Sequence, residues 1–265
     1  MSTISIQRRP SAASEEPGVE ISNVTKQFSD VTAVDNACLT LKAKSFVSIV
    51  GPSGCGKSTL MRMVAGLIKP TSGEIVVRSK PVRGPLREVG MVFQAPVLMP
   101  WRRTLDNILF VAEMGGLRRS DWIDRANELI DHAGLGGFAN SYPHELSGGM
   151  QQRVAICRAM LLRPSLILMD EPFGALDVMT RERMGFALQD LWSESKSTVL
   201  FVTHSITEAV LLSDTVVVMS PRPGRIRDVV DVDLPRPRTT QTLRDPLFIE
   251  LSERVREGIE SRWID

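Results

Sequence analysis

A glycine-rich run near the start of the chain contains residues suited to holding phosphate: Gly51, Pro52, Ser53, Gly54, Cys55, Gly56, Lys57, Ser58 and Thr59. This run fits the phosphate-binding P-loop pattern in full. Its glycines let backbone N–H groups turn inward around an anion, and a helix that starts at Lys57 adds the positive end of its dipole. The sequence therefore predicts a nucleotide site in which Lys57 neutralises the β- and γ-phosphates and the Ser58 hydroxyl binds Mg²⁺.

The alternative for the same run is a glycine-rich turn between a strand and a helix that binds no ligand. The full match to the pattern, between an apolar run that ends at Val50 and a helical pattern that starts at Lys57, favours the phosphate site. Cys55 is expected to fill space and to act only through its backbone.

Two acids follow an apolar run later in the chain, Leu166–Glu171. Acids at the carboxyl end of a buried strand face the crevice in which α/β sheets bind ligands. Asp170 would hold Mg²⁺, generally through water, and Glu171 would orient or deprotonate an attacking water. By itself this pattern is a weak signal, and the P-loop upstream of it makes it a strong one.

A second anion site is predicted where Ser147, Gly148 and Gly149 stand before a helical pattern. A hydroxyl and bare backbone donors at a helix N-terminus attract negative charge. A capped helix start explains Ser147, but it does not explain two consecutive glycines that weaken a helix. The run from Leu146 to Arg153, which includes Gln151, resembles the signature motif of the ABC ATPases.

Four further positions match that family in the expected order, and the resemblance implies their roles: Phe28, Gln94, Asp177 and His204. Gln94 would touch Mg²⁺ or the water and sense a membrane subunit. Asp177 would belong to the D-loop, in which Gly174 replaces the usual Ser, and His204 would contact the γ-phosphate. Phe28 would stack on adenine, with a core phenylalanine as the open alternative.

The elements that position these residues alternate between strands and helices. Strands are predicted at 46–50, 74–78, 89–93, 166–169, 198–203 and 215–219. Helices are predicted at 57–68, 106–115, 120–134 and 147–162, and another at the end with Asp245 and Pro246 as its first residues and Leu247, Leu251, Val255 and Ile259 on one stripe. This pattern predicts an α/β fold: a P-loop NTPase core with a mostly parallel sheet flanked by helices, an N-terminal antiparallel β subdomain and an inserted α-helical subdomain.

The predicted organisation has three parts. Residues 1–18 are expected to be a disordered tail, 19–223 the ABC ATPase domain with a helical subdomain at about 97–163, and 224–265 a short extension with a strand and a helix. The tail is polar and lacks the apolar block of a secretory signal. No run approaches the roughly 20 apolar residues of a spanning helix, so any membrane role must come through a partner.

Composition argues against a nucleic-acid binder and against a disulfide-bonded protein. The 32 basic and 31 acidic residues give a net charge of +1, which argues against a general nucleic-acid binder. The three cysteines, Cys38, Cys55 and Cys157, are far apart, and we expect free thiols in a reducing compartment.

The resemblance implies ATP and Mg²⁺ as cofactors and a homodimer in which two copies face head to tail around each nucleotide. It also implies transmembrane permease subunits, indirectly a solute-binding protein, and a peripheral location on the cytoplasmic face of the inner membrane. The apolar segment 95–101 beside Gln94 could line a groove for a permease helix or pack in the core. Gly84 and Pro85, the segment 92–101 and the run 221–226 resemble the nitrate, sulfonate, taurine and bicarbonate importers; an exporter ATPase, a soluble ABC ATPase and a non-catalytic cassette are the alternatives.

Lys57→Ala should weaken nucleotide binding itself, because it removes the charge that faces the β- and γ-phosphates. We expect the affinity for ATP to fall about tenfold or more, which is the usual loss for a charge-assisted contact. Titration with a fluorescent ATP analogue measures the affinity, and an unchanged value would contradict the assignment of the P-loop.

Overall fold

The computed structural model describes residues 17–260 with the exception of residue 175. The predicted tail at 1–18 therefore falls almost entirely outside the described residues. Ten strands occur in the described part: β1 Pro17–Phe28, β2 Val31–Lys42, β3 Phe46–Val50, β4 Ser72–Val77, β5 Lys80–Pro81, β6 Val89–Val92, β7 Leu166–Asp170, β8 Thr198–Val202, β9 Thr215–Met219 and β10 Ile226–Asp231. Seven α-helices occur there: α1 Lys57–Val64, α2 Thr104–Met114, α3 Ile123–His132, α4 Gly148–Met160, α5 Val178–Ser195, α6 Ile206–Leu212 and α7 Pro246–Glu260.

The main sheet has six strands in the order β10-β9-β3-β8-β7-β6. All neighbours from β9 to β6 are parallel, and β10 joins β9 antiparallel at the edge. Every residue of β3, β7 and β8 is buried, as expected for central strands of a parallel sheet that is covered on both faces. The predicted mostly parallel sheet is confirmed.

A second sheet of four strands, in the order β2-β1-β4-β5, is antiparallel. Strand β2 alternates between buried and exposed residues toward its end, which is the pattern of a sheet with one covered face. In this sheet Ile21 pairs with Leu39 on one side and with Ile75 on the other. The predicted N-terminal antiparallel subdomain is confirmed.

The two faces of the main sheet support different cores. In β8, Val199 and Phe201 face a cluster built from α2, α3, α4 and α5, and Phe201 lies 5.7 Å from the ring of Phe173. The alternate residues Leu200 and Val202 face a cluster that contains α1 and the antiparallel sheet. The main sheet is thus the middle layer between the helices and the second sheet.

Several predicted boundaries were wrong. Helix α1 ends at Val64 rather than at residue 68, because Gly66 adopts a φ of 73° and a Cβ at this glycine would overlap the carbonyl of Gly84. Leu67 lies beyond the helix and is half exposed. Helix α2 starts two residues early, and the predicted start of α3 is a short 3₁₀ turn at Arg119–Asp121.

Strand β10 is the edge strand of the main sheet, and helix α7 packs against β9 and β10. Asp245 accepts a hydrogen bond from the N–H of Leu247 at 2.9 Å, as predicted for the start of α7. The predicted apolar stripe was partly wrong, because Leu247 is 38% exposed while Phe248, Leu251 and Val255 are buried against β9 and β10. The helical period places Phe248, and not Leu247, on the covered face.

A buried arginine fixes the segment between β10 and α7. The Arg238 guanidinium donates to five backbone carbonyls, among them Val210 at 2.9 Å and Ser213 at 2.7 Å. Burial lowers its pKa to about 10, so the side chain stays charged at neutral pH. The loop after α6 and the segment after β10 are therefore joined through one side chain.

Arg238→Met should destabilise the fold by about 3 kcal/mol, because the carbonyls it satisfies would stay buried without a donor. Urea unfolding measures the loss. Arg227 lies exposed in β10, and Arg227→Met is the matched control with an expected change of about 0.5 kcal/mol or less. Equal losses in the two variants would contradict this assignment.

Candidate functional site

The glycine-rich run forms a loop between β3 and α1, with α1 starting at Lys57 as predicted. Gly54 and Gly56 have φ values of 75° and 105°, which favour glycine. A Cβ at Gly56 would lie 2.6 Å from the carbonyl oxygen of Ala33. The loop is therefore closely packed against β2 and depends on glycine for its course.

The Lys57 side chain is buried inside this loop. Its Nζ donates to the carbonyl oxygens of Gly51 at 2.8 Å and Pro52 at 3.0 Å. Among the described residues no carboxylate lies within ion-pair distance of this ammonium group. The partners of this ammonium group are two carbonyl oxygens and, at 4.0 Å, the sulfur of Cys55. A buried cation with such neutral partners at the N-terminus of a helix fits an anionic ligand such as a phosphate.

Ser58 and Asp170 form a pair of oxygen groups beside the loop. The Ser58 hydroxyl donates to Oδ1 of Asp170 at 2.7 Å, and Arg62 Nη2 lies 3.8 Å from Oδ2. Hydroxyl and carboxylate oxygens suit a hard cation such as Mg²⁺. In the described part of the chain no group of three or more His, Cys, Asp or Glu residues could hold a metal. A Mg²⁺ ion here would therefore need further ligands from water or from a bound phosphate.

The cysteines are free, as predicted. Cys38 is exposed, whereas Cys55 and Cys157 are buried. Burial raises the pKa of the Cys55 thiol above its ordinary value and that of Cys157 to about 12. Both buried groups therefore stay protonated at neutral pH and serve as packing.

A loop after β9, residues 220–225, supports the P-loop from outside. Arg222 donates through Nη2 to the carbonyl of Gly54 at 3.0 Å. Gly224 packs so closely that a Cβ there would overlap the carbonyl oxygen of Cys55. The run 221–226 gives no sign of this contact in the sequence, since no spacing rule places a loop beside another loop that lies far away in the chain.

Glu171 and His204 meet at the ends of neighbouring strands. Glu171 follows β7 and His204 follows β8, and Oε2 of Glu171 lies 3.2 Å from Nδ1 of His204. The Glu171 N–H donates to the carbonyl of Val202 at 2.8 Å, and its φ of 45° turns the chain away from the sheet. The side chain of His204 is half exposed, so one face of this pair is open.

Gln94 lies on the loop after β6 and is exposed. Gly174 is its neighbour: a Cβ there would lie 3.5 Å from Gln94 Nε2 and 3.3 Å from the carbonyl of Glu171. Gly174 therefore lies closely packed between Gln94 and Glu171, and a side chain at this position would contact both residues. Residue 175 of the same turn lies outside the described residues.

The second predicted anion site lies at the start of α4. Ser147 is the N-cap and accepts a hydrogen bond from the N–H of Met150 at 3.3 Å, which confirms the predicted cap. Gly148 is exposed, and a Cβ on it would meet nothing within 4 Å. Gln151 donates to carbonyls of the preceding loop, including that of Leu146 at 3.2 Å. No hydrogen bond or ion pair between described residues joins Ser147–Gly149 to the P-loop.

Asp177 caps α5 beside this helix start. Its carboxylate accepts from the Thr180 N–H at 3.0 Å, and hydrogen bonds from Thr180 lower its pKa below the ordinary value. A Cβ at Gly149 would lie 3.1 Å from the Thr180 methyl group and 3.4 Å from Leu176. The signature run and the Asp177 turn therefore form one surface.

Phe28 lies at the end of β1, in the turn to β2. It is 45% exposed, and Lys26 Nζ lies 4.8 Å from its ring centroid. The alternative of a core phenylalanine was wrong, since this side chain faces outward. An exposed ring in this position is free to stack on a planar ligand.

The apolar segment 95–101 is partly packed and partly open. Leu98 packs against the core, while Val97 is 60% and Trp101 74% exposed. Arg158 of α4 holds the segment, donating to the carbonyl of Val97 at 2.9 Å and to that of Pro96 at 3.0 Å. Both predicted environments therefore occur, in different residues.

Arg158 also lines a cleft of about 920 Å³ between β6, α2 and α4. Phe110 and Met114 of α2 line one wall. Met114 is 71% exposed. In residues 17–174 and 176–260, no helix is long and apolar enough to cross a membrane.

Comparisons with known proteins agree with this geometry. A family model described as ABC transporter matches residues 34–174. An uncharacterized ABC transporter ATP-binding protein of Methanocaldococcus jannaschii is 45% identical over 241 residues, covering 89% of each chain. A taurine import ATP-binding protein of Ruegeria pomeroyi is 46% identical and covers 79% of this chain and 80% of its own. A nitrate import ATP-binding protein of Synechocystis sp. is 40% identical and covers 92% of this chain and 96% of its own.

Solved structures show the same fold. A dimeric bacterial ABC transporter cassette has a TM-score of 0.72 at 34% identity and covers 82% of this chain and 100% of its own. The same cassette in a post-hydrolysis state with ADP and Pi has a TM-score of 0.71 at 34% identity, with the same coverage of 82% and 100%. The family match includes the glycine-rich loop, the two acids and the helix start at Ser147, and the chain therefore belongs to the ABC transporter family, as one of its ATP-hydrolysing subunits.

Proposed function

We propose that this chain powers an ABC importer for a small solute, working as a homodimer beneath permease subunits on the cytoplasmic face of the inner membrane. One observation carries the proposal: among the described residues no hydrogen bond or ion pair joins the P-loop to Ser147–Gly149, the two proposed anion sites. A nucleotide enclosed by both sites needs a second copy of the chain. The dimeric structure of a similar cassette supports this arrangement.

The P-loop is the proposed site of the ATP phosphates. Lys57 exchanges its carbonyl partners for phosphate oxygens, and Phe28 stacks on the adenine. Ser58 and Asp170, with Gln94, are the proposed residues for Mg²⁺, which when bound neutralises phosphate charge. Because Ser58 Oγ and Asp170 Oδ1 already lie 2.7 Å apart, the two side chains need little rearrangement to share a cation.

Glu171 is the proposed base for the attacking water. His204 is the proposed contact of the γ-phosphate, and it also orients the Glu171 carboxylate. Their contact of 3.2 Å holds the carboxylate at the carboxyl edge of the sheet, beyond Asp170. The turn at Glu171 separates the two adjacent acids, so that one can serve the metal and the other the water. Gln94 and Glu171 lie on either side of Gly174, with atoms of both within 4 Å of where its Cβ would stand.

The partner copy is proposed to bring its Ser147–Gly149 and Asp177 to this site. The start of α4 offers N–H groups and the end of a helix dipole to a γ-phosphate. The exposed Val178 and Met179, directly after Asp177, add apolar surface to the same side. Hydrolysis therefore depends on both chains.

A helix of the permease is the proposed partner of the segment 95–101 and of the cleft that Arg158 lines. Val97 and Trp101 of the segment and Met114 of the cleft are exposed apolar side chains that suit an amphipathic helix, and the arginines that line the cleft, such as Arg158, suit acidic residues on that helix. The segment begins directly after Gln94, so movement of the permease would reach the nucleotide site through a short path.

The cargo is proposed to be nitrate, taurine, a sulfonate or a related small molecule, in line with the names of two relatives.

Glu171→Gln should abolish turnover and leave ATP binding intact, because the water loses its base while Lys57 and the loop are unchanged. We expect the ATPase rate of the full complex to fall at least about 100-fold. Glu257 is exposed on α7, and Glu257→Gln is the control with an unchanged rate. A normal rate in Glu171→Gln would remove Glu171 from the proposed site.

Cysteine crosslinking in membranes of the source cell tests attachment, in a Cys38→Ser background that removes the exposed thiol. Val97→Cys should crosslink to a membrane-spanning protein, and Arg227→Cys on the exposed edge strand should not. Equal crosslinking of both positions, or none from Val97→Cys, would contradict the docking surface.

Uptake of labelled taurine or nitrate by cells that carry Glu171→Gln distinguishes import, in which uptake is lost, from export, in which it is unchanged.

A further inference from the structure

A buried acid on α6, Glu208, has no part in the proposed chemistry. Its side chain is 11% exposed, and burial raises the pKa of its carboxyl above the ordinary value. The Thr203 hydroxyl donates to its Oε2 at 2.5 Å, and Arg181 Nε lies 3.4 Å from its Oε1. Burying a carboxylate costs free energy unless the group is paired, so the residues that pair with Glu208 explain why it can lie here.

On one side, Glu208 fixes the turn that carries His204. Thr203 precedes His204, and its hydroxyl oxygen also accepts the N–H of Ser205 at 3.0 Å. Ser205 caps α6 by accepting the N–H of Glu208 at 3.3 Å. Both neighbours of His204 are thus bound into one ring of contacts. The imidazole itself is half exposed, and its one hydrogen bond among the described residues is with the carboxylate of Glu171.

On the other side, Arg181 joins Glu208 to the turn that carries Asp177. Arg181 lies one helical turn after Asp177 on α5, and its Nη2 donates to the carbonyl of Leu176 at 3.0 Å. The same guanidinium faces Glu208 through Nε. It is therefore a single side chain between the Asp177 turn and the His204 turn.

We infer that Arg181 and Glu208 are positioning residues that set the orientation of His204 against Glu171 according to the position of the Asp177 turn. A second copy that docks on the Asp177 surface shifts Leu176, Arg181 follows its carbonyl, and Glu208 moves the Thr203 hydroxyl next to His204. This inference rests on the roles proposed above for His204 and Asp177. It assigns the link between dimer contact and the catalytic pair to named side chains.

The side chain of His204 can be observed directly, because the chain has three histidines and the other two, His132 and His144, serve as internal references. We propose to record imidazole ¹H–¹⁵N spectra of the full chain at one fixed pH. Thr203→Val removes the hydroxyl without a change of charge. It should move the His204 signals and leave those of His132 and His144 in place.

Two charge variants with matched controls test the rest of the link. Glu208→Gln and Arg181→Gln should both move the His204 signals, although Arg181 does not contact the imidazole. Glu182 and Arg183 stand on the same helix and make no ion pair with any residue that the structure describes. Glu182→Gln and Arg183→Gln should therefore leave the His204 signals unchanged. A shift of equal size in the control variants would reduce the effect to general electrostatics and overturn the inference.

Unmoved His204 signals in Thr203→Val and Arg181→Gln would also overturn it, whatever the fate of Glu208→Gln. Because the spectra need no ATP turnover, this failure differs from a failure of the proposed function, which Glu171→Gln reports. In the complete complex we expect Arg181→Gln to lower kcat about tenfold with KM for ATP changed less than about threefold, as for loss of orientation rather than of binding. A rise in KM with unchanged kcat would contradict a positioning role.

Discussion

The parallel pairing of β3, β8 and β7 is the constraint on which the rest of this structure depends. Pairing in register places Val50, Val202 and Asp170 at one edge of the sheet, and each strand continues into a loop there. Residues that lie far apart in the chain thereby converge: the P-loop after β3, Glu171 after β7 and His204 after β8. All three strands are buried on both faces, and packing on both sides holds them in this register.

The halves of the site differ in rigidity for a physical reason. The P-loop is enclosed by β2 on one side and by the loop 220–225 on the other, and its closest approaches are made by glycines. Gln94, His204 and Gly148 are exposed, and the segment that follows Gln94 is held by arginine contacts to its carbonyls. A rigid phosphate loop with open polar groups around it is suited to a site that a second surface completes.

Two arginines, the buried Arg238 and the partly buried Arg181, link segments that the sheets leave apart. Arg238 joins the loop after α6 to the segment after β10, and Arg181 joins the turns at Leu176 and Glu208. Arginine suits this task because its planar group reaches several acceptors at once and stays charged when buried. These two side chains thus connect loops through hydrogen bonds and an ion pair.

The sequence by itself determined the five parallel strands of the main sheet, strand β4, most helices, the P-loop, the acids after β7 and the cap at Ser147. These signals are local: an apolar run, a glycine spacing or an N-cap depends on neighbouring residues. Only the tertiary structure decided that α1 stops at Val64, that Phe28 faces outward, and that Arg222, Gly224 and Glu208 lie around the site. Those facts depend on contacts between segments distant in the chain, such as the carbonyl of Gly84 against Gly66, and no pattern within a single segment contains them.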